Sequence, residues 1–201
     1  MQFDTYSHKF AAEVVKSAGF KTEYAEIEKA IKSISDYDLE RRFSEIKKKR
    51  KKAKSISEAI NELLKEKLEA KGWLSEAAIF RDEDYTKKRE TRWRLDFAKK
   101  NIAIEVAFNH GEATAHNLIK PVLSSELNHV EKDVQTKMGV VIAATQEMKK
   151  AGRFDGAVGT YEKFISYLRP YNNILTVPIM LIGLKPPKTF RMEKKGKIIK
   201  I

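Results

Sequence analysis

The chain is predicted to be an α/β protein with a mixed central β-sheet flanked by helices. Three features predict it: a period-2 hairpin over residues 93–108, two apolar runs of strand length at 138–144 and 177–184, and segments of helical periodicity that precede and separate them. Trp93, Leu95 and Phe97 alternate before the turn, and Ile102, Ile104, Val106 and Phe108 after it, the pattern of half-buried strands. The hairpin is antiparallel, while strands joined by helical crossovers run parallel, so the sheet is mixed.

The elements follow in order. Residues 10–20 read as a short helix and 21–34 as a second, with Tyr24, Ile27, Ile31 and Ile34 forming one apolar stripe. Tyr6-Ser7-His8 precedes them in a segment too short to assign. Residues 41–54 are the densest positive stretch, in which only Ala53 is uncharged between Lys47 and Lys54. Two readings of Lys47, Lys48, Lys49, Arg50, Lys51 and Lys52 are open: a solvated surface or localisation signal, or a mobile segment ordered by phosphates as sequence-independent affinity. Ser55 and Glu58 have capping-box spacing and open a helix with Ile60, Leu63, Leu64 and Leu68 on one face, which Gly72 ends.

Residues 73–80 are expected to start the sheet, and the charged stretch 81–92 to be a loop. Residues 115–132 read as helical apart from Pro121, near which the helix is expected to start, because proline lacks an N–H. The run 138–144 suits a strand buried on both faces. A basic loop at 149–159, a helix at 160–168 and a last strand at 177–184 follow, with Pro178 at a tolerated strand start. A single domain, 1–201, is expected, with the basic segment 41–54 and the tail 186–201 as appendages.

Forty Lys and Arg against 28 Asp and Glu give a net charge of +12 and a pI near 9.6. Such a surplus points to a polyanionic partner, most commonly nucleic acid. The absence of cysteine excludes a disulfide framework and thiolate metal sites. No secretory signal or run of membrane-spanning length is present, so the expectation is a cytoplasmic protein with no membrane partner.

The polar residues of the hairpin carry the chemistry. With the turn centred on Lys99-Lys100, Phe97 pairs with Ile102 and Asp96 with Ala103. Asp96, Ala103, Glu105 and Ala107 then share one side, and the two acids are diagonal neighbours about 7–8 Å apart. The pair is either solvated or bridged by a hard divalent ion such as Mg²⁺. Asp-x(8)-Glu in a hydrophobic hairpin of a basic chain matches the Asp…Glu-x-Lys signature of metal-dependent nucleases with one position altered.

Several collinear segments carry a wider likeness: Leu95-Asp96-Phe97, Ile104-Glu105-Val106 with Phe108, Asn61-Glu62 with the stretch 65–73, Tyr161-Glu162, Val177-Pro178 with Leu181-Ile182-Gly183, and Tyr6-Ser7-His8. On these residues the chain resembles the type II restriction endonucleases of the BglII/BstYI group. The resemblance implies a restriction-endonuclease-like core and a prokaryotic homodimer that hydrolyses double-stranded DNA at a palindrome containing GATC. It further implies one or two Mg²⁺ ions per site, 5′ overhangs, and a cognate DNA methyltransferase in the same system.

By position, the resemblance makes Asp96 and Glu105 the metal-binding carboxylates, the backbone carbonyl of Val106 a further ligand, and Glu76 an additional active-site acid. Asn109 and His110 resemble one base-reading segment, and the loop 153–159, with Arg153 and Asp155, a second. The stretch Ser124-Ser125-Glu126-Leu127 falls where a dimer helix is expected, and His116 and His129 read as ordinary helix residues. One departure stands out. The family has Gln, and most related nucleases Lys, where this chain has Ala107. Either a residue from elsewhere substitutes, with Lys99 and Lys100 set aside as turn residues, or the chain is a weak or catalytically disabled DNA-binding form, natural or engineered. Restoring Gln or Lys at 107 is expected to raise cleavage if the rest of the site is intact. A basic RNA-associated factor is the third reading that charge alone allows.

Overall fold

The computed structural model describes residues 1–81, 93–126 and 131–201. Its centre is one six-stranded sheet built from β1 (Phe3–His8), β2 (Leu74–Ala78), β3 (Arg94–Lys99), β4 (Ile102–Val106), β5 (Met138–Ala144) and β6 (Ile179–Leu184). The spatial order is β1-β6-β5-β4-β3-β2. β2, β3 and β4 form an antiparallel meander, β4, β5 and β6 run parallel, and β1 closes the far edge antiparallel to β6. The expected mixed sheet is therefore present. Every residue of β5 and β6 is buried, which matches their unbroken apolar sequences.

Helices cover both faces. On one lie α1 (Ala11–Val14), α2 (Lys21–Lys32), α3 (Asp36–Lys49) and α4 (Ser57–Glu69). Ile27, Ile31, Phe43, Leu64 and Leu68 there pack with Phe97, Ile104, Val140, Ile142 and Ile182. Met148, on the short helix α6 (Gln146–Ala151), joins that cluster. On the opposite face α5 (Thr114–Ser125) and α7 (Tyr161–Leu168) set Leu118, Val122, Phe164 and Leu168 against Val141, Ala143 and Leu181.

Several elements differ from expectation. The first helix covers four residues rather than 10–20, because Lys16 and Ser17 N–H groups bond three residues back and tighten the chain into turns. The basic segment is largely the end of α3, a helix started by a capping box in which Ser35 and Asp38 satisfy each other's backbone N–H groups. Lys47, Lys48 and Lys49 occupy its last turn, where cations suit the helix dipole. Ser55 and Glu58 form no capping box: Ser55 Oγ accepts from Ser57 N, and Glu58 pairs with Arg50.

The helix expected to start at Pro121 runs through it, from Thr114 to Ser125. The proline forfeits one helical hydrogen bond, and its ring packs onto Gly139 of β5, where a Cβ would lie 2.5 Å from Pro121 Cβ. The tail is also structured. β7 (Phe190–Glu193) and β8 (Lys197–Lys200) form a hairpin whose Phe190 and Met192 enter the core beside Leu39 and Phe43. Asp36 accepts the N–H groups of Lys188 and Thr189 at 2.8 and 2.9 Å and holds that hairpin on α3. Among the described residues no helix is long and apolar enough to cross a membrane. Residues 82–92 of the expected loop 81–92, and His129, lie outside the described residues.

Candidate active site

The hairpin turn lies on Lys100-Asn101, one residue later than expected, with Phe97 opposite Ile104 and Lys99 opposite Ile102. Lys99 stays in the strand because its Nζ is held by Glu26 and by the Lys71 carbonyl, both at 2.7 Å. Lys100 takes the positive φ of 47° that the tight turn demands, and Asn101 Nδ2 donates to Gly19 O. A one-residue shift of the turn moves each partner by two, so the register, continued one residue past Phe97–Ile104, sets Asp96 against Glu105 instead of diagonal to it.

The ladder is interrupted at Asp96. Its Oδ2 accepts the Val106 N–H at 2.5 Å, a backbone donor that a regular strand would pair with a carbonyl. Regular alternation would set Leu95 and Phe97 on one side, yet Leu95 packs with Ala77, Ile79 and Ala103 while Phe97 enters the opposite layer. Across the other edge, Glu76 stands opposite Asp96, between the pairs Ser75–Phe97 and Ala77–Leu95, with a φ of 50° that is unusual outside glycine. Both strands therefore kink at the acids, and strain of this kind collects at functional sites.

Glu76, Asp96 and Glu105 thus occupy one row across three strands. Glu76 is exposed, Asp96 half-buried and Glu105 almost wholly buried. Burial raises the Asp96 carboxyl pKa, and Glu76 adds to the rise, while the Val106 N–H and Lys120 oppose it. Burial, and then the charge of Asp96, push Glu105 well above the usual carboxylate range, against the pull of Lys120. Glu105 Oε1 is buried and has no hydrogen-bond partner among the described residues.

Lys120 is the functional candidate that sequence reasoning missed. It projects from α5, ion-pairs with Glu105 Oε2, and donates to the Arg94 carbonyl at 2.8 Å. It is itself buried. The only sequence signal was a lysine set among apolar residues, Leu118, Ile119, Pro121 and Val122, in a segment of helical pattern. Ala107 explains why a cation comes from the helix: it is 1% exposed and packs in the layer that Leu118 and Val122 fill. Lys99 and Lys100, set aside on sequence, are engaged away from the acids with Glu26 and Glu23.

The two segments expected to read bases come together. His110 pairs with Val158 across an isolated bridge, Gly111 N–H donates to Ala157 O at 2.6 Å, and Gly159 N–H donates to Asn109 O. Phe108 packs edge-on against Phe154. Asn109 and His110 are exposed, as are Arg153 and Asp155. Asn109 is oriented by the buried Asn117 of α5, whose Nδ2 donates to Asn109 Oδ1 at 2.9 Å, and Asp155 Oδ1 caps its own loop through Ala157 N. Ile56 N–H donates to Gly152 O, which ties the end of the basic segment to this loop.

Not every expected residue is placed for its role. Lys47 Nζ is engaged by the carbonyls of Lys195 and Gly196, and Arg50, though exposed, pairs with Glu58. Lys48, Lys49, Lys51 and Lys52 are exposed. Ser124 is fully buried, bonded to Thr136 and to the Pro121 carbonyl, which removes it from any interface; Leu127 lies outside the described residues.

The donor set fits a divalent ion. Two opposed carboxylates, one with an unsatisfied buried oxygen, are relieved by a hard cation, and the Val106 carbonyl, which accepts from Phe108 N at 3.1 Å, keeps a second lone pair. Among the described residues no group of three or more His, Asp or Glu side chains is placed to hold a metal ion by itself. An open site of one or two carboxylates is what Mg²⁺ uses when substrate phosphates and waters complete its shell.

A mixed sheet with this kinked acidic hairpin, covered by helices on both faces, is the restriction-endonuclease fold. The chain superposes on "restriction endonuclease BGLII complexed with DNA 16-mer" with a TM-score of 0.67 and 19% identity, over 95% of this chain and 80% of that one. It superposes on "free BglII" with a TM-score of 0.55 and 15% identity, over the full length of both. The family model "Restriction endonuclease BglII/BglIII" matches residues 3–184, and the chain belongs to that family. It is a type II site-specific deoxyribonuclease, of a family that uses a divalent metal. No curated protein sequence matches the chain.

Proposed function

We propose that this protein is a Mg²⁺-dependent homodimeric endonuclease that hydrolyses double-stranded DNA at a palindrome containing GATC, leaving 5′ overhangs. The opposition of Asp96 and Glu105 across the kinked hairpin carries the reading. Those carboxylates, with the Val106 carbonyl, would hold Mg²⁺, which supplies an acidified water and charge stabilisation at the scissile phosphate. Glu76, in the same row, borders the site on its exposed side.

In the reaction a water oxygen bonds to phosphorus as the P–O3′ bond breaks, and the proton that water loses is balanced by one gained at O3′. Asn109 and His110 with Arg153 and Asp155 form one exposed surface whose side chains suit base edges in the major groove. The exposed lysines 48, 49, 51 and 52 add phosphate affinity beside it. A palindrome is read by a two-fold protein, so the active species is a homodimer. Unmodified host DNA would be cut as well, so a cognate methyltransferase accompanies the enzyme in a prokaryotic cytoplasm.

The test is a plasmid with GATC sites, incubated with the protein or with Glu105→Ala in Mg²⁺ and in Ca²⁺. The expected outcome is discrete fragments from the natural chain in Mg²⁺, none from Glu105→Ala, and a shift of GATC duplexes in Ca²⁺. A shift without cutting would favour the DNA-binding form that Ala107 suggests. Neither cutting nor preference for GATC would sink the assignment of specificity.

A further inference from the structure

We propose that Lys120 replaces, from helix α5, the side chain missing at position 107: the one N–H its ammonium keeps free holds a non-bridging oxygen of the scissile phosphate. The proposal rests on the endonuclease reading above and concerns how its site is completed.

Three observations carry it. The first is placement. Lys120 Nζ lies between the two strands that bear the acids, paired with Glu105 Oε2 on β4 and donating at 2.8 Å to the carbonyl of Arg94, two residues before Asp96 on β3. An ammonium has three N–H donors, and these contacts use two. The third is available to a phosphate or water oxygen brought to the acids.

The second is burial. Lys120 is 8% exposed, flanked along α5 by the buried Leu118 and Val122 but turned from their face toward β3 and β4. Lysine is rarely buried, and a buried ion pair is seldom more stable than apolar residues filling the same space. A task beyond packing accounts for keeping both charges here.

The third is complementarity with Ala107. That residue is 1% exposed, and the helix that delivers Lys120 fills the space a Gln or Lys at 107 would need. The small residue and the close helix are two halves of one arrangement, so the site is complete rather than disabled.

A competing role is purely electrostatic, with Lys120 only neutralising buried Glu105. A divalent ion on Glu105 would make that service redundant, so the two roles part when the metal is bound. The experiment compares the natural chain with Lys120→Met by thermal melting, by calorimetric titration of the free protein with Mn²⁺, by Ca²⁺-dependent shift of a GATC duplex, and by single-turnover cleavage in Mg²⁺. The expected result is Mn²⁺ and duplex binding at least as tight as in the natural chain, with cleavage about 10²–10³-fold slower, the loss typical for removing one charge-stabilising donor.

The chain has no cysteine, so Lys120→Cys offers a single thiol that can be alkylated with 2-bromoethylamine in denaturant and refolded. The sulfur–carbon bond forms as bromide leaves, and an ammonium returns at the same chain length. Cleavage is expected to return with alkylation, and the alkylated and unalkylated samples, refolded side by side, separate loss of the ammonium from loss of the fold. The inference is overturned if Lys120→Met cuts within a few-fold of the natural chain, if its cleavage falls only as far as its metal binding falls, or if alkylation restores nothing. Failure of the natural chain to cut would instead overturn the endonuclease reading itself.

Discussion

Asp96 and Ala107 set opposite expectations for substitution. Asp96 and Glu105 are held above the ordinary carboxylate range, chiefly by burial. The unfolded chain releases these protons near pH 4, whereas the folded chain keeps them to higher pH. Between those points the folded state binds more protons, so stability of the metal-free protein falls as pH rises through that window. Asp96→Asn removes one source of that loss and relieves the repulsion with Glu105. It is expected to melt above the natural chain at neutral pH without divalent ions, and the two should converge in acid. Mg²⁺ should raise the melting temperature of the natural chain and leave Asp96→Asn unmoved; thermal scans across pH with and without Mg²⁺ check both signs. Ala107→Gln, which the sequence alone casts as a restoration, inserts a long side chain into a filled layer. It is expected to cost about 1–3 kcal/mol of stability and to slow cleavage, read by urea melts and single-turnover rates. A rate that rises would show that the site had room and lacked its side chain.

At the scale of elements, α5 decides whether the site is assembled. It runs through Pro121, whose ring fits against β5 where Gly139 leaves space, and Lys120 is the residue just before that proline. Gly139→Ala puts a methyl 2.5 Å from Pro121 Cβ. It is expected to destabilise by about 1–3 kcal/mol and, by lifting α5, to reduce cleavage more than it reduces Ca²⁺-dependent DNA binding. Equal losses in both would mean that α5 moves without moving Lys120. The elements legible in the sequence were those with a strong local pattern: the hairpin, the continuous runs of β5 and β6, and the stripes of α2 and α4. β1 was not legible because it is an edge strand with four successive exposed residues and so no alternation. The tail hairpin was hidden because it is stabilised by Asp36, some 150 residues away. For the site, Asp96 and Glu105 were readable from spacing, but the turn slipped by one residue because the ties of Lys99 and Asn101 are tertiary. Lys120 belongs to a different element from the acids, and only packing brings it to Glu105.

At the scale of the whole molecule, the net charge of +12 is not spread evenly in purpose. Part of the positive charge serves the fold: in the basic run Lys47 caps carbonyls of the C-terminal hairpin and Arg50 pairs with Glu58, and in the hairpin itself Lys200 reaches back to Glu40. The exposed lysines 48, 49, 51 and 52 stand in the stretch that leads to Ile56, whose N–H bonds to Gly152 O next to the exposed Arg153 and Asp155. The two groups should therefore separate by experiment. Each phosphate contact removed lowers the slope of log affinity against log salt by about 0.9. Replacing lysines 48, 49, 51 and 52 by Gln should flatten that slope by up to the sum of the contacts they make, weaken GATC and unrelated duplexes alike, and leave the melting temperature close to that of the natural chain. Lys47→Gln should do the reverse, lowering the melting temperature and loosening amide protection in β7 and β8 while leaving the salt slope unchanged. A quadruple variant with an unaltered slope would place the phosphate contacts elsewhere on the protein. A loss confined to GATC duplexes would mean that these lysines act on the reading of bases instead of on the backbone.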